Sequence, residues 1–326
     1  MRLSIRFLLA VLLLLAAPAA RAQLDQIPGP NSPASKEQVQ LYRPAEDKII
    51  GRVSIPDAKA AVLVQPEGRD WRVFRNVGLR IAATVMIVGM LVLLAVFYFK
   101  RGTVEINAGR SGRTITRFTG LERFAHWTTA VSFLALALTG LTVLFGRLLL
   151  IPLMGHETFA AFAQWSKMVH NFFSAPFVVG LLFILVLWIR HNLPERADIV
   201  WLKCGGGLFE RGCEHPEAGK FNAGQKLLYW TVLLGGIVMT ATGVMLMFPF
   251  AVAGIGGMQF SHIVHSVLGA LLFTLILGHI YIGSMGMEGA FDAMGSGQVD
   301  ENWAREHHSR WYREEKRRLG GEAGAE

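Results

Sequence analysis

Two histidines in the apolar C-terminal half of the chain have a spacing that suits a pair of ligand sites. His265 and His279 lie fourteen residues apart, in a stretch from residue 262 to 287 that has no charged side chain. On an α-helix this separation covers about 21 Å and ends about 40° short of four full turns. A single helix would therefore present two imidazoles on nearly the same face, at two depths.

Two further histidines match these depths if the apolar stretches pack beside one another as antiparallel helices. His126 begins one such stretch and falls level with His279, whereas His170 begins the next stretch and falls level with His265. An ionisable side chain within a membrane span is costly, so its presence is a functional hypothesis by default. The sequence thus predicts two facing pairs of imidazoles, one above the other.

A b-type haem is the simplest group that two neutral imidazoles on neighbouring helices would bind. Its apolar ring fits between helices, and its iron takes one nitrogen from each side. Zinc prefers four ligands in a tetrahedron, and the chain lacks the Cys-x-x-Cys-His pattern of covalent haem attachment. Two alternatives stay open: a proton relay, which would usually bring Asp or Glu into the spans, and plain hydrogen bonding between helices.

His262 is a rival to His265 as a ligand. It lies seventeen residues before His279, and this spacing turns it about 100° away from the face that carries His279. We therefore expect His265 to be the ligand and His262 to lie at the start of the helix, near the membrane surface.

The composition indicates that the elements positioning these histidines are membrane-spanning helices. Of the 326 residues, 52% are hydrophobic and only 17% are charged, whereas a soluble domain has about 25% charged residues. Backbone polar groups in lipid must be satisfied within the segment, so apolar stretches of this length are helices. The sequence predicts five spans: Ile81–Phe99, Phe124–Leu150, Phe172–Ile189, Leu227–Phe250 and His262–Met287.

The predicted fold class is therefore an all-α integral membrane protein, with a four-helix dihaem core and one additional N-terminal span. Arg2 and Arg6, the apolar run after them and the sequence Ala20-Arg21-Ala22 are typical of a secretory signal peptide, with an uncleaved anchor as the alternative. We divide the chain into a signal peptide (1–22), a polar periplasmic tail (23–76), an additional transmembrane helix (77–100), the dihaem domain (115–290) and a cytoplasmic tail (291–326).

The distribution of positive charge predicts the orientation in a bacterial inner membrane. Three segments contain six Lys or Arg residues each: 100–123, 190–226 and the part after Met287. Such segments stay in the cytoplasm, so the N-terminal tail is expected in the periplasm and the C-terminus inside. The net charge of +8 is then a topology signal rather than a sign of nucleic acid binding.

Two haems with iron centres about 20 Å apart along the helix would let electrons cross the membrane. The chain has no nicotinamide, flavin or iron–sulfur motif. The electron donor is therefore expected to be another protein.

Several separated stretches together resemble the membrane cytochrome b (gamma) subunit of respiratory formate dehydrogenases. The resemblance covers about residues 115 to 318, so the N-terminal extension lies outside it. The stretches that carry it are Arg123-Phe124-Ala125-His126-Trp127, Arg190-His191-Asn192-Leu193-Pro194, Lys220-Phe221-Asn222-Ala223-Gly224-Gln225-Lys226, the pair His265 and His279, and His307-His308-Ser309-Arg310-Trp311-Tyr312.

The resemblance implies that His170 and His265 hold a periplasmic haem and that His126 and His279 hold a cytoplasmic one. It also implies that electrons come from a periplasmic iron–sulfur (beta) subunit, supplied by a molybdenum or tungsten catalytic (alpha) subunit that oxidises formate. This chain would then be the electron-transfer and quinone-reducing subunit, and its turnover would contribute to proton-motive force.

The resemblance further implies a quinone site formed by Asn222, Gly224 and Gln225. A neutral amide donor and a glycine that permits close approach suit a quinone carbonyl. The alternative is that Asn222 only caps the helix that begins near Gly224.

Two other functions stay open at this point. The chain would be a dihaem anchor for a hydrogenase or another periplasmic oxidoreductase, or a haem-free membrane anchor.

Overall fold

Five helices long and apolar enough to cross a membrane dominate the computed structural model, which describes residues 68–207 and 216–322. The all-α membrane fold predicted from the sequence is confirmed, and the chain is a multi-pass membrane protein. The predicted signal peptide and residues 23–67 of the predicted tail lie outside the described residues.

The helices and strands are named here in chain order. The long helices are α2 (Leu79–Arg101), α3 (Gly120–Leu149), α4 (Ile151–Trp188), α6 (Ala223–Met247) and α7 (Ile255–Tyr281). The short elements are α1 (Gly68–Val73), β1 (Thr114–Thr116), α5 (Arg196–Lys203), α8 (Ala290–Gly295), β2 (Gln298–Asp300), α9 (Glu301–His307) and α10 (Ser309–Glu322).

Two of the long helices begin at capping boxes, in which two side chains bond each other's backbone N–H groups. At the start of α3, Thr119 and Glu122 form such a box, and at the start of α6, Asn222 and Gln225 form another. A helix leaves its first N–H groups without intrahelical partners, so these residues fix where each span starts.

The long helices pack as neighbouring pairs. α3 lies along α4, and α6 lies along α7. Small residues permit this approach: a Cβ atom built on Gly180 of α4 would lie 3.1 Å from the backbone nitrogen of Thr129 on α3. Such close crossings are typical of membrane helices, where packing replaces the hydrophobic effect as the driving force.

The additional N-terminal span packs against the outside of α7. The rings of Phe97 on α2 and Tyr281 on α7 meet edge to face, with centroids 6.2 Å apart. Helix α1 continues through a wider π-helical turn, Phe74–Gly78, into α2. The described helix therefore includes residues that the sequence assigned to the periplasmic tail.

A compact cap covers the end of the bundle where α3 begins, and the C-terminal tail forms part of it. Strands β1 and β2 pair antiparallel, with Ile115 opposite Val299. Arg117 lies at the centre of the cap with 3% of its surface exposed, and its guanidinium hydrogen-bonds Lys220 O at 2.7 Å and His308 Nε2 at 3.0 Å. The predicted cytoplasmic tail is thus packed onto the segment that precedes α3.

Candidate functional site

The structure brings His126 and His279 together at the end of the bundle next to the cap. His126 lies in the second turn of α3, and His279 lies near the end of α7. Their ring centroids are 6.2 Å apart, with the ring planes inclined by 63°. We call this arrangement the His126 pair.

His170 and His265 form a second pair with nearly the same geometry towards the opposite end of the bundle. His170 is carried by α4 and His265 by α7. Their ring centroids are also 6.2 Å apart, and the planes are inclined by 61°. We call this arrangement the His170 pair. Helix α7 therefore contributes one histidine to each pair.

The separation in each pair fits two axial ligands of one haem iron. Two iron–nitrogen bonds of about 2 Å, plus the distance from each nitrogen to its ring centre, put ligating imidazole centroids about 6 Å apart. This agrees with the 6.2 Å seen in both pairs. The described residues contain no group of three or more His, Cys, Asp or Glu side chains suited to a metal ion.

Two threonines orient the His170 pair. Thr139 Oγ1 lies 2.8 Å from His170 Nδ1, and Thr242 Oγ1 lies 3.0 Å from His265 Nδ1. Each threonine hydroxyl also donates its hydrogen to a backbone carbonyl one turn earlier. Thr139 donates to Ala135 O at 2.7 Å, and Thr242 donates to Val238 O at 2.8 Å. With its single hydrogen so used, each hydroxyl can only accept from the imidazole.

This arrangement determines which ring nitrogen is available for a metal. Because Nδ1 of each imidazole donates to a threonine oxygen, Nδ1 carries the proton and Nε2 keeps its lone pair. A hydrogen bond made by the ring nitrogen that does not bind the metal fixes the tautomer and the direction of a metal-ligating histidine. Both rings of the His170 pair are therefore prepared to bind iron through Nε2.

A glycine follows each of these threonines and leaves room for the imidazole. A Cβ atom built on Gly243 would lie 3.3 Å from His265 Cε1, and one built on Gly140 would lie 3.8 Å from His170 Cε1. The sequence reasoning missed Thr139 and Thr242. A Thr-Gly dipeptide occurs inside both α3 and α6, at least one turn from the helix ends. This repetition is the sequence pattern that could have indicated the two threonines.

The His126 pair has a different environment. Within the described part of the chain, His126 Nδ1 is buried and has no hydrogen-bond partner. One turn earlier on α3, Glu122 Oε1 accepts hydrogen bonds from Lys220 Nζ at 2.5 Å and Trp188 Nε1 at 2.9 Å. This buried ion pair joins α3, α4 and the segment before α6, so it fixes the start of the helix that carries His126.

His262 lies apart from both pairs. It faces the N-terminal extension, where its ring meets that of Trp71 edge to face with centroids 5.5 Å apart. The structure thus places His265, and not His262, opposite His170.

The amide side chains of Asn222 and Gln225 are engaged with each other's backbone. Asn222 Oδ1 accepts from Gln225 N at 2.9 Å, and Gln225 Oε1 accepts from Asn222 N at 3.1 Å. A Cβ atom built on Gly224 would lie 2.9 Å from the Trp201 ring, so this glycine accommodates an indole. The capping role weighed from the sequence is therefore present, and each amide keeps its NH₂ group as a donor.

Comparison with known proteins identifies the framework that carries both pairs. The family model described as prokaryotic cytochrome b561 matches residues 117–297, a range that includes all the paired histidines. The chain belongs to the prokaryotic cytochrome b561 family. Membership implies a b-type haem. The two pairs of imidazoles in this chain have a separation that fits such a haem.

Relatives of this cytochrome b561 family member have names that specify an enzyme complex. The chain is 33% identical over 208 residues to the cytochrome b556(Fdn) subunit of the nitrate-inducible formate dehydrogenase of Escherichia coli strain K12, covering 62% of this chain and 92% of the relative. It is 32% identical over 204 residues to the cytochrome b556(fdo) subunit of formate dehydrogenase from the same strain, covering 62% and 93%.

A third relative is the cytochrome b556 subunit of formate dehydrogenase from Haemophilus influenzae. The identity is 32% over 200 residues, which cover 59% of this cytochrome b561 family member and 80% of the relative. The resemblance expected from the sequence motifs is confirmed. Helices α1 and α2 precede the range that the family model matches.

Proposed function

We propose that this chain is the membrane cytochrome b subunit of a formate dehydrogenase and carries two b-type haems, one between the histidines of each pair. The observation that carries the proposal is the repetition of one geometry at two levels of α7, with centroids 6.2 Å apart in both pairs. A single haem protein would need only one such pair. The names of the relatives supply formate as the source of electrons.

The protein's own residues bind and orient each haem. The histidines of each pair would hold the iron, and Thr139 and Thr242 would keep the imidazoles of the His170 pair in the tautomer that leaves Nε2 free for it. The haem, when bound, supplies reversible one-electron transfer.

In the proposed direction, electrons arrive at the His170 pair and leave from the His126 pair. The predicted signal peptide and the basic segments favour a periplasmic location for the His170 end and a cytoplasmic location for the cap, in a bacterial inner membrane. The donor would be a periplasmic iron–sulfur subunit, itself supplied by a molybdenum or tungsten subunit that oxidises formate.

The electron acceptor would be a quinone that reaches the His126 end from the lipid. Asn222, Gly224 and Gln225 begin α6 at this end, and the NH₂ groups of the two amides are the donors that would bind a quinone carbonyl. Reduction to the quinol takes two electrons and two protons. Proton uptake from the cytoplasm, combined with proton release by formate oxidation in the periplasm, would build proton-motive force.

The test is a spectroscopic titration of the complex purified through this chain from its native membranes. We expect reduced-minus-oxidised spectra of a b-type haem, reduction by formate, reoxidation by added quinone, and co-purification of the iron–sulfur and catalytic subunits. Reduction by hydrogen but not by formate would favour a hydrogenase anchor. Absence of any haem signal would leave only a haem-free anchor and would refute the proposal.

A further inference from the structure

A cluster of cationic and aromatic side chains lies at the His170 end, where the N-terminal extension meets the bundle. Its members come from α1, the π-helical turn, α3 and α7, so the extension completes a surface that the family domain provides only in part. We call it the Trp71 patch. Its members are Trp71, Arg72, Arg75, Arg147 and His262.

Direct contacts hold this patch together. The Trp71 ring lies against the His262 ring, with centroids 5.5 Å apart. The guanidinium carbon of Arg75 lies 6.0 Å from the centre of the Trp71 ring. Arg147, near the end of α3, lies within electrostatic range of Arg75 rather than in contact with it, and so does Arg80. Arg72 and Arg147 are exposed, so the patch has an open positively charged rim.

The arginines of the patch differ from those at the other end of the bundle. Within residues 68–207 and 216–322, Arg72, Arg75 and Arg147 form no ion pair with a carboxylate. At the cap, by contrast, arginines are paired with acids, as Arg110 is with Glu288 at 3.1 Å and Arg310 is with Glu195 at 2.5 Å. Unpaired like charges held side by side repel, and an acidic partner surface would relieve that repulsion.

The position of the patch connects it with electron transfer. His262 is three residues, or about one helical turn, before His265 on α7. Trp71 packs against His262, so the patch lies at the same end of the bundle as the His170 pair. The electron donor proposed above would approach the bundle from this end.

We propose that the Trp71 patch is a docking surface for an acidic region of the electron-donating protein, and that the N-terminal extension contributes to it through Trp71, Arg72 and Arg75. This inference rests on the proposed function, because it identifies where the donor binds. Charge complementarity would steer the donor towards the His170 pair and set its orientation. Anionic lipid headgroups are the competing occupant, but the position at the end of the bundle where electrons are proposed to enter favours a protein.

The experiment uses the full complex with a charge reversal in this chain. The double variant Arg72→Glu/Arg147→Glu changes two exposed arginines of the patch. The matched control, Arg196→Glu/Arg317→Glu, changes two exposed arginines on α5 and α10. Formate-driven haem reduction is followed in native membranes at low and high ionic strength, and dithionite gives the total reducible haem. The subunits that co-purify with the wild-type, patch-variant and control chains are measured after washing at increasing salt concentration.

We expect the patch variant to slow formate-driven reduction by about tenfold at low ionic strength. Dithionite-reducible haem should be unchanged, and donor subunits should be lost at a lower salt concentration. The control should behave as wild type. Equal rates and equal subunit retention in the patch variant and the control would overturn the inference. If the glutamate variant loses its haem, Arg72→Gln/Arg147→Gln replaces it under the same criteria.

Two further arms separate the remaining explanations. Failure of formate to reduce wild-type haem refutes the formate dehydrogenase proposal, while the salt-wash comparison still tests docking of whatever subunits co-purify. Reconstitution in nanodiscs of zwitterionic or anionic lipid tests the competing occupant. Two results together would assign the patch to lipid headgroups and overturn the protein-docking inference. The first is that formate reduces the wild-type haem slowly in zwitterionic lipid but not in anionic lipid. The second is that the patch variant retains the subunits as wild type does.

Discussion

Thr139 Oγ1 accepts a hydrogen bond from His170 Nδ1 at 2.8 Å, while the same hydroxyl donates to Ala135 O at 2.7 Å. This relationship ties the chemistry of an imidazole on α4 to the backbone of α3. Thr242 repeats it for His265 on the other helix pair. The His170 pair is thus held from both sides in the tautomer that leaves Nε2 for iron.

Removal of the Thr139 hydroxyl should therefore weaken haem binding at the His170 pair. Thr139→Val removes the hydroxyl that accepts from Nδ1–H of His170, and loss of such a partner typically costs about 10–100-fold in metal affinity. Haem retention during purification and the midpoint potential of this haem are the measurements. Thr139→Ser keeps the hydroxyl and should behave as wild type.

Thr142 provides the control for that experiment. It lies on the same helix, and its hydroxyl bonds Leu138 O at 3.0 Å without contacting a histidine. Thr142→Val should leave both haems unaffected. Equal effects of the two valine variants would show that the hydroxyl of Thr139 has no special role.

A methyl group beside His265 should disturb the same site by a steric route. In Gly243→Ala the new Cβ would lie 3.3 Å from His265 Cε1, so the ring must shift by a few tenths of an ångström. We expect an altered spectrum and midpoint potential of this haem, and a smaller change in Gly140→Ala, where the distance is 3.8 Å. Gly89→Ala on α2, where nothing lies within 4 Å, is the control and should change neither.

Asn222 allows the capping role and the proposed quinone role to be separated. Asn222→Asp keeps the oxygen that caps α6 but removes the NH₂ donor. We expect this variant to retain haem and thermal stability and to lose quinone-dependent reoxidation of the haems by at least tenfold. Asn222→Ala should lose stability as well, by about 0.5–2 kcal/mol. Wild-type quinone kinetics in Asn222→Asp would leave the residue as a helix cap alone.

The cap should loosen at acidic pH because of His308. Burial and the neighbouring Arg117 hold the pKa of His308 well below its ordinary value of 6.5. In the undocked tail the imidazole would take up a proton below about pH 6.5. In the docked tail it stays neutral at that pH. Docking of the tail therefore loses free energy as the pH falls below 6.5.

Hydrogen exchange of β2 and α9 at pH 7.5 and 5.5 measures this effect. We expect faster exchange at the lower pH in the wild-type protein. His308→Gln can still donate to Gly219 O and accept from Arg117, the two contacts of the imidazole, and should remove the pH dependence. Persistence of the dependence in that variant would contradict the assignment to His308.

The five spans and the histidine pairs could be predicted from the sequence because both depend on regular helix geometry. The spacing of His265 and His279 gives their shared face and their depths without any tertiary information. The choice of His265 over His262 follows from the same arithmetic, and the structure has His265 against His170.

The features that the sequence did not reveal depend on contacts between distant segments. The ion pair of Glu122 and Lys220 joins residues that are 98 positions apart, and no local pattern marks it. The burial of Arg117 in the cap depends on the aromatic rings of Trp303 and Trp311 from the C-terminal tail. The contact of Trp71, in the helical segment Gly68–Val73, with His262 of α7 likewise joins distant segments.

The number of haems bound by this chain tests the central claim most directly. We predict that the purified wild-type protein contains two b-type haems with low-spin signals of paired imidazole ligands. His170→Ala and His126→Ala should each retain one haem of different midpoint potential, and His262→Ala should retain both. A single haem in the wild-type protein, or two haems in both alanine variants of the pairs, would contradict the account.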